Sequence, residues 1–368
     1  MDVETDATIR REMARLNVPG CAYALIKQGE IKTLRAYGVA DASTGSPVTL
    51  ATRFCLQSIS KSVTAWAVMA LKEAGKVDLD APVGGYIGNW SLPPSDLYDL
   101  DLVTPRRLLS HHAGITDAGF IGIEPHLTGY TLIDALNCTL PPPNEETLRH
   151  WAYWNLPPSE PVSVTSAPGA GWCYSNAGFA LLQLMIENVS GQTFRDFVAK
   201  TVFRPLGMKD SAFGRHPHEP HASPHGRDGR NNLDYIWPCD AAAGAYATIA
   251  DLAKFACAAM PGPNGEIPGR GVLKPSSIAE MHSSHGKADQ SSGLPFEAGL
   301  GHLLLKGEGP TNVHHSGGSI GWRSIFSIFP QTGDGVCMVM NGEAANELWV
   351  PVVQRWRDSV LTGARGGR

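Results

Sequence analysis

Apolar positions alternate in short runs near both ends of the chain and fall into helical stripes in its middle. Residues 21 to 40, CAYALIKQGEIKTLRAYGVA, predict two strands about a Gln28-Gly29-Glu30 turn. Toward the other end, WRSIFSIFPQTGDGVCMVMNG predicts a β-hairpin about Thr332-Gly333-Asp334-Gly335. Between them, residues 58 to 74 set Ile59, Val63, Trp66, Ala70 and Leu71 near one helical face, with Gly75 as the stop. A second helix, AGFALLQLMIENVSG, carries Leu181, Leu182, Met185, Ile186 and Val189 and stops at Gly191. A final helix is expected over roughly 346 to 361. Residues 81 to 105 are rich in Pro, Gly and Asp and predict loop. Residues 117 to 170, with the Pro141-Pro142-Pro143 run, Trp151 and Trp154, are longer than compact loops usually are; such segments often form lids or pocket walls. Strands at both ends and helices between them predict an α+β fold. Its sheet domain would come from both termini, residues 1–57 and 255–368, with a mostly helical domain, residues 58–254, inserted.

Composition narrows the function. A chain of 368 residues can bury a large core, and 43% hydrophobic with 18% charged residues is ordinary for a globular protein. A net charge of −5 leaves no basic footprint for nucleic acid or an anionic membrane. The start, MDVETDATIRREMARLNVPG, is highly charged and has no apolar core of a signal peptide. No apolar run nears the length of a membrane span, roughly 20 residues. The seven cysteines (Cys21, Cys55, Cys138, Cys173, Cys239, Cys257 and Cys337) are odd in number, scattered and free of any CxxC pair. That argues against a disulfide framework and a zinc site, and fits reduced thiols in the cytoplasm. No cofactor is expected.

The candidate chemistry begins at Ser58-Ile59-Ser60-Lys61. Residues i and i+3 share a helix face, and a helix start favours developing negative charge. A serine with a lysine one turn on can therefore act as a nucleophile with its proton acceptor. Read alone, the tetrapeptide fits an N-cap and a solvated lysine better, and Ser284-His285-Gly286-Lys287 matches the same spacing in a polar loop. Tyr174-Ser175-Asn176 precedes the second strong helix; a tyrosine beside Lys61 could serve as a base, and taken alone it is more often a core residue. Tyr153-Trp154-Asn155 is its decoy. The stretch VHHSGGSIGW, residues 313 to 322, has glycines that let backbone approach a ligand, so its N–H groups could bind an oxyanion. The same stretch holds a formal GxSxG at Ser319, which we reject: no histidine follows His315, and the segment after it predicts strand rather than helix. The His216-to-His225 loop is expected to be exposed rather than metal-binding, and His111-His112 to pack at a helix end.

Three such patterns in one order, SxSK at 58–61, YSN at 174–176 and HSGG at 315–318, resemble the serine β-lactamase-like superfamily, and within it the class C β-lactamase and esterase branch. RRLLSHHAGI, PGAGWCYSNAGFALLQLMIENVSGQTF, VFRPLGMKDSAF and AAAGAYATIADLAKF resemble further blocks of that family, so the likeness covers roughly residues 18 to 345. The resemblance implies a helix-flanked antiparallel sheet plus a helical domain, with the site in the cleft between them. It implies Ser58 as nucleophile, Lys61 as base or electrostatic partner, Tyr174 as shared acid/base and Asn176 as a group orienting the acyl side. It also implies an oxyanion hole from the backbone N–H groups of Ser58 and Gly318. Many relatives carry Lys-Thr-Gly on the last strand; here His315 stands at the lysine position, and a neutral imidazole lacks that permanent charge. The expected reaction is therefore hydrolysis of a small-molecule ester, or of an amide without a free carboxylate, through an acyl-enzyme. The alternatives are acyl transfer to an alcohol or amine, a β-lactamase or D-aminopeptidase-type activity, and a catalytically inactive binding protein. Trp322, with Trp151, Trp154, Trp172, Tyr235 and Trp237, is a candidate lining residue for an apolar acyl site.

Overall fold

The computed structural model describes residues 2–117, 122–127, 129–141, 144–145, 160–215, 220–288, 294–307 and 309–366. Its strands are β1 (Gly20–Lys27), β2 (Glu30–Asp41), β3 (Ser46–Pro47), β4 (Phe54–Cys55), β5 (Ala212–Phe213), β6 (Ala245–Ala247), β7 (Phe296–Ala298), β8 (Leu303–Leu305), β9 (Asn312–Ser319), β10 (Trp322–Phe329) and β11 (Asp334–Met340). Eight of them form one antiparallel sheet in the order β3-β2-β1-β11-β10-β9-β8-β7, so the two ends of the chain meet at β1 and β11. The fold is α+β, with this sheet as its centre. β4, β6 and β5 make a second, small sheet.

The local chemistry explains the main elements. Lys27 pairs with Glu30 across Gln28 and Gly29, whose φ angles of 53° and 72° give the two-residue turn that matches strand twist. β10 is buried along its whole length because both faces of the sheet are covered. Ile325, Phe329, Tyr23, Leu25 and Met338 meet the helices Asp2–Leu16 and Asn346–Gly366 on one face. Their alternating neighbours Phe326, Ile328, Ala22, Ala24 and Val339 join the core on the other face, which includes the helix Ile249–Ala258.

The helix predicted over 58–74 is observed as Ser60–Glu73, entered through a 3₁₀ turn at Gln57–Ile59, so Ser58 stands just ahead of the α-helix. It ends at Gly75, φ 68°, where the Lys76 N–H donates to the Leu71 carbonyl. The single apolar face expected from the sequence is a correction: Ser60 through Met69 and Leu71 are all buried. The buried hydroxyls are satisfied, as burial demands. Ser60 Oγ donates to the Gln57 carbonyl (2.6 Å) and accepts from the Ala245 N–H (2.9 Å), while Ser62 Oγ donates to the Gly301 carbonyl (2.7 Å).

The histidine-rich loop is also corrected, since His225 is fully buried. Its Nε2 accepts from the Ala42 N–H (3.0 Å) and its Nδ1 faces the Asn341 carbonyl (2.9 Å), which ties the loop to the sheet in a neutral tautomer. His216 and His218 lie outside the described residues. Burial lowers the pKa of His225, takes His302 down to about 4, and holds His111 well below the ordinary imidazole value. Each folded-state pKa lies below the unfolded value, near 6.5. Their contribution is therefore fully present above about pH 6.5 and is lost as pH falls, at up to about 1.4 kcal/mol per pH unit for each imidazole. Urea unfolding is expected to give a level stability from about pH 8 to 7 and a steep loss by about pH 5. Unchanged stability over that whole range would mean these rings are charged in the fold.

Among the described residues, no helix is long and apolar enough to cross a membrane.

Candidate active site

Ser58 sits where a buried strand turns sharply into a helix. Gln57, just before it, has φ 51°. This left-handed conformation costs a non-glycine residue roughly 1–2 kcal/mol. The turn is held from every side. The Leu56 N–H donates to the Ala245 carbonyl (2.7 Å), Ser324 Oγ donates to the Leu56 carbonyl (2.7 Å), and Gln57 Nε2 donates to Cys55 Sγ (3.1 Å). The turn leaves the Ser58 side chain half-buried while its neighbours Gln57 and Ile59 are fully buried.

Lys61 is 0% exposed. Its Nζ donates to Ser58 Oγ (3.3 Å), Asn176 Oδ1 (2.8 Å) and the Ala242 carbonyl (2.9 Å). Nζ thus has three polar partners. Nζ also lies 4.9 Å from the ring centre of Tyr174 and 5.5 Å from that of Phe179, within reach of both aromatic faces. Among the described residues no carboxylate lies within ion-pair distance of it. Its polar head is surrounded by neutral acceptors and aromatic faces.

Tyr174 is positioned by His111. The Cys173 N–H donates to the His111 carbonyl (2.8 Å), the Ser175 N–H donates to His111 Nδ1 (3.1 Å), and the two rings stack with centroids 4.3 Å apart. Because Nδ1 accepts, the imidazole is neutral; burial first, and the nearby Lys61 charge second, keep its pKa low. Ser175 caps the helix Asn176–Ser190 by accepting from the Gly178 N–H (2.9 Å), which fixes Asn176 at the first helical position. Asn176 gives both its backbone N–H (3.2 Å) and its Nδ2 (3.1 Å) to Asp117 Oδ1.

The third wall is β9. β8 pairs with β9 only as far as His314, so 315–319 run past its end and meet the Gln57–Ile59 turn. The approach requires glycine: a Cβ on Gly317 would lie 2.2 Å from the Leu56 carbonyl oxygen. Gly318 follows with its backbone exposed. His315 is 4% exposed, with Nδ1 facing the Ser316 carbonyl (2.8 Å). Burial, then the charge on Lys61, takes its pKa down to about 3, so it is neutral in ordinary buffers.

The structure thus gathers Ser58, Asn176 and the Tyr174 ring around Lys61 Nζ, with His315 and Gly318 on the adjoining strand. It does not bring Trp322 there. That ring is 2% exposed and wedged edge-on against Phe54 and Tyr246, where it fills core. Tyr235 and Trp237 are likewise buried, Trp172 packs on Tyr174 and His111, and Trp151 and Trp154 lie outside the described residues. The decoys separate as the local context predicts. Ser284 opens no helix, and Ser319 ends a strand that turns into another strand. Asp117, Phe179, the Ala242 carbonyl and the Tyr174-facing side of His111 belong to the site without a sequence signal of their own.

Comparison with known proteins gives a consistent picture. The beta-lactamase family profile matches residues 5–357. Esterase EstB of Burkholderia gladioli is 32% identical over 214 residues, which cover 56% of this chain and half of that esterase. Penicillin-binding protein 4 of Amycolatopsis lactamdurans is 27% identical over 355 residues, 90% of this chain and 83% of that protein. Among solved structures, the octameric penicillin-binding protein homologue from Pyrococcus abyssi superposes with a TM-score of 0.73 at 25% identity, over 94% of this chain and 74% of that one.

Proposed function

This chain belongs to the beta-lactamase family, and from that premise we propose that it is a serine hydrolase acting on esters, or on amides that lack a free carboxylate, through an acyl group on Ser58. The observation that carries the reading is Lys61: a fully buried amine with no carboxylate partner among the described residues, 3.3 Å from Ser58 Oγ. Ser58 Oγ attacks the carbonyl carbon as its proton passes to the Lys61–Tyr174 pair, which accepts it in the form carrying one proton fewer than an ammonium plus a phenol. The backbone N–H groups of Ser58 and Gly318 receive the negative oxygen. The proton then goes to the leaving alcohol or amine, the carbonyl reforms, and water releases the acyl group by the same steps in reverse order.

The preference for esters rests on His315. A cation at that place would form a charge-assisted hydrogen bond with a substrate carboxylate, worth about 1.5–3 kcal/mol. The buried neutral imidazole offers no such bond. The 32% identity to an esterase supports the same reading. Turnover of p-nitrophenyl acetate and butyrate should therefore exceed that of a chromogenic cephalosporin by at least about ten-fold in kcat/KM, the smaller end of that range. Cephalosporin turnover equal to or above the esters would contradict it. Added methanol would expose acyl transfer as methyl ester product.

A further inference from the structure

We propose that this chain has a second binding site, apart from Ser58, for a ligand that joins a carboxylate to a flat apolar body, an aryl carboxylate being the simplest form. It goes beyond the hydrolase reading and does not depend on it. The site is a cavity of about 450 Å³, within the range of small-molecule pockets. Arg195, Arg215, Tyr235, Ile236 and Trp237 are among its walls, and none of Ser58, Lys61, Tyr174, Asn176, His315 or Gly318 lines it. The short helix Asp240–Ala243 stands between the two places: its Ala242 carbonyl accepts from Lys61 (2.9 Å), and its Asp240 carboxylate faces the cavity and holds Arg195.

Two arginines are built into the cavity in the same way. Arg195 gives Nε (2.6 Å) and Nη2 (3.3 Å) to Asp240, and Arg215 Nη1 lies 2.9 Å from Asp234 Oδ2. Both carboxylates are nearly buried behind their partners, whereas both arginine side chains are about half-exposed. The Tyr246 hydroxyl donates to Asp234 Oδ1 (3.1 Å), which fixes that carboxylate in turn. Arg195 also rests against Gly214, where a Cβ would lie 2.5 Å from Nη1. Each guanidinium is thus anchored along one edge. An arginine has five N–H donors and no acceptor. Arg195 Nη1, and Nε and Nη2 of Arg215, make no hydrogen bond to a described residue. The unspent polar capacity of the pair is therefore donor only, and a ligand must bring the acceptors. A carboxylate suits a guanidinium edge best, because the two form parallel charge-assisted bonds. The two aspartates balance the two arginines, so the choice rests on this geometry and not on a net field. Beside the arginines, the Tyr235, Ile236 and Trp237 wall offers an apolar surface, on which the Ile236 side chain is left exposed. That wall takes the flat body of the ligand.

The test is calorimetric titration of the full chain with cinnamate and with cinnamyl alcohol, which keeps the flat body and lacks the charge. Cinnamate is expected to bind at least about ten-fold more tightly than the alcohol, the smaller end of what a charge-assisted bond supplies. Its affinity is expected to be the same after Ser58 is blocked with an active-site serine phosphonate. It is expected to fall at least about ten-fold in Arg215→Gln and in Arg195→Lys, where lysine keeps the charge beside Asp240 and loses the fork. Should either variant fail to fold, peptide mapping of phenylglyoxal adducts on the natural protein decides the place: cinnamate is expected to slow modification of Arg195 and Arg215 several-fold. No binding of cinnamate, equal binding of the alcohol, unchanged affinity in both variants, or unprotected arginines overturns the proposal. Loss of binding on blocking Ser58 also overturns it, by placing the ligand at the candidate active site.

Discussion

Lys61→Met is expected to cut kcat/KM for a p-nitrophenyl ester by about 10³-fold while leaving the protein folded. Positioned proton transfer contributes typically about 10²–10⁴-fold, and methionine cannot accept or donate a proton. The stability side decides how that loss is read. Methionine keeps most of the aliphatic stem that the buried lysine packs into the core. It leaves the Ala242 carbonyl and Asn176 Oδ1 without the lysine donor. Each such loss costs about 1–3 kcal/mol. The substitution also removes the cost of burying the polar amine, an offset of about 1–3 kcal/mol. The two effects nearly cancel, so the melting temperature should move by only a few degrees. Thermal unfolding and steady-state kinetics on the same preparation check both halves. A variant that loses activity in proportion to its folded fraction would make Lys61 a structural residue. A folded variant with ester turnover within about ten-fold of the natural protein would remove it from the chemistry.

Much of the fold was legible because hydrophobic period and turn chemistry agree locally. The Gln28-Gly29 turn and the Thr332-to-Gly335 turn mark hairpins, and β1 and β11 form the seam that joins the chain ends. The 58–74 helix was found but its environment was not. Ser60 and Ser62 look like a plain polar helix start in sequence, yet each has a carbonyl partner in the interior, as does Thr64 beyond them, and two of the three reach segments far along the chain. Pattern alone cannot see partners supplied by Ala241 and Gly301. Trp322 shows the opposite error. An aromatic beside a glycine-rich strand looked like a pocket wall, whereas the pleat turns it inward onto Phe54 and Tyr246.

For the site, Ser58, Lys61, Tyr174, Asn176 and His315 were visible through the order of three short patterns within family-like blocks. No single pattern was enough, since each of the first two has a second copy elsewhere in the chain. Asp117 gave no comparable signal because it lies in an irregular segment, and His111, within the RRLLSHHAGI block, read only as helix-end packing. Asp117 follows Thr116 in a loop and meets the candidate site through its contact with Asn176, far along the chain. His111 has φ 60°, and its ring grips the 173–175 backbone from a distant segment. Residues of this kind are recognised by what they touch.

Whether Ser58 carries the acyl group is read by intact mass with peptide mapping. After incubation with an active-site serine phosphonate, the natural protein should gain one adduct, mapped to Ser58. The half-buried hydroxyl is the one that Lys61 reaches and that β9 faces across the Gly317 contact. Ser58→Ala should gain none, whereas Ser284→Ala and Ser319→Ala should be labelled as the natural protein is. Loss of the nucleophile should also lower ester turnover by several orders of magnitude, since the residue acts as a unit with its proton acceptor. A single adduct on Ser58 that disappears in Ser58→Ala is the expected outcome, and an adduct that persists in Ser58→Ala would remove Ser58 as the nucleophile.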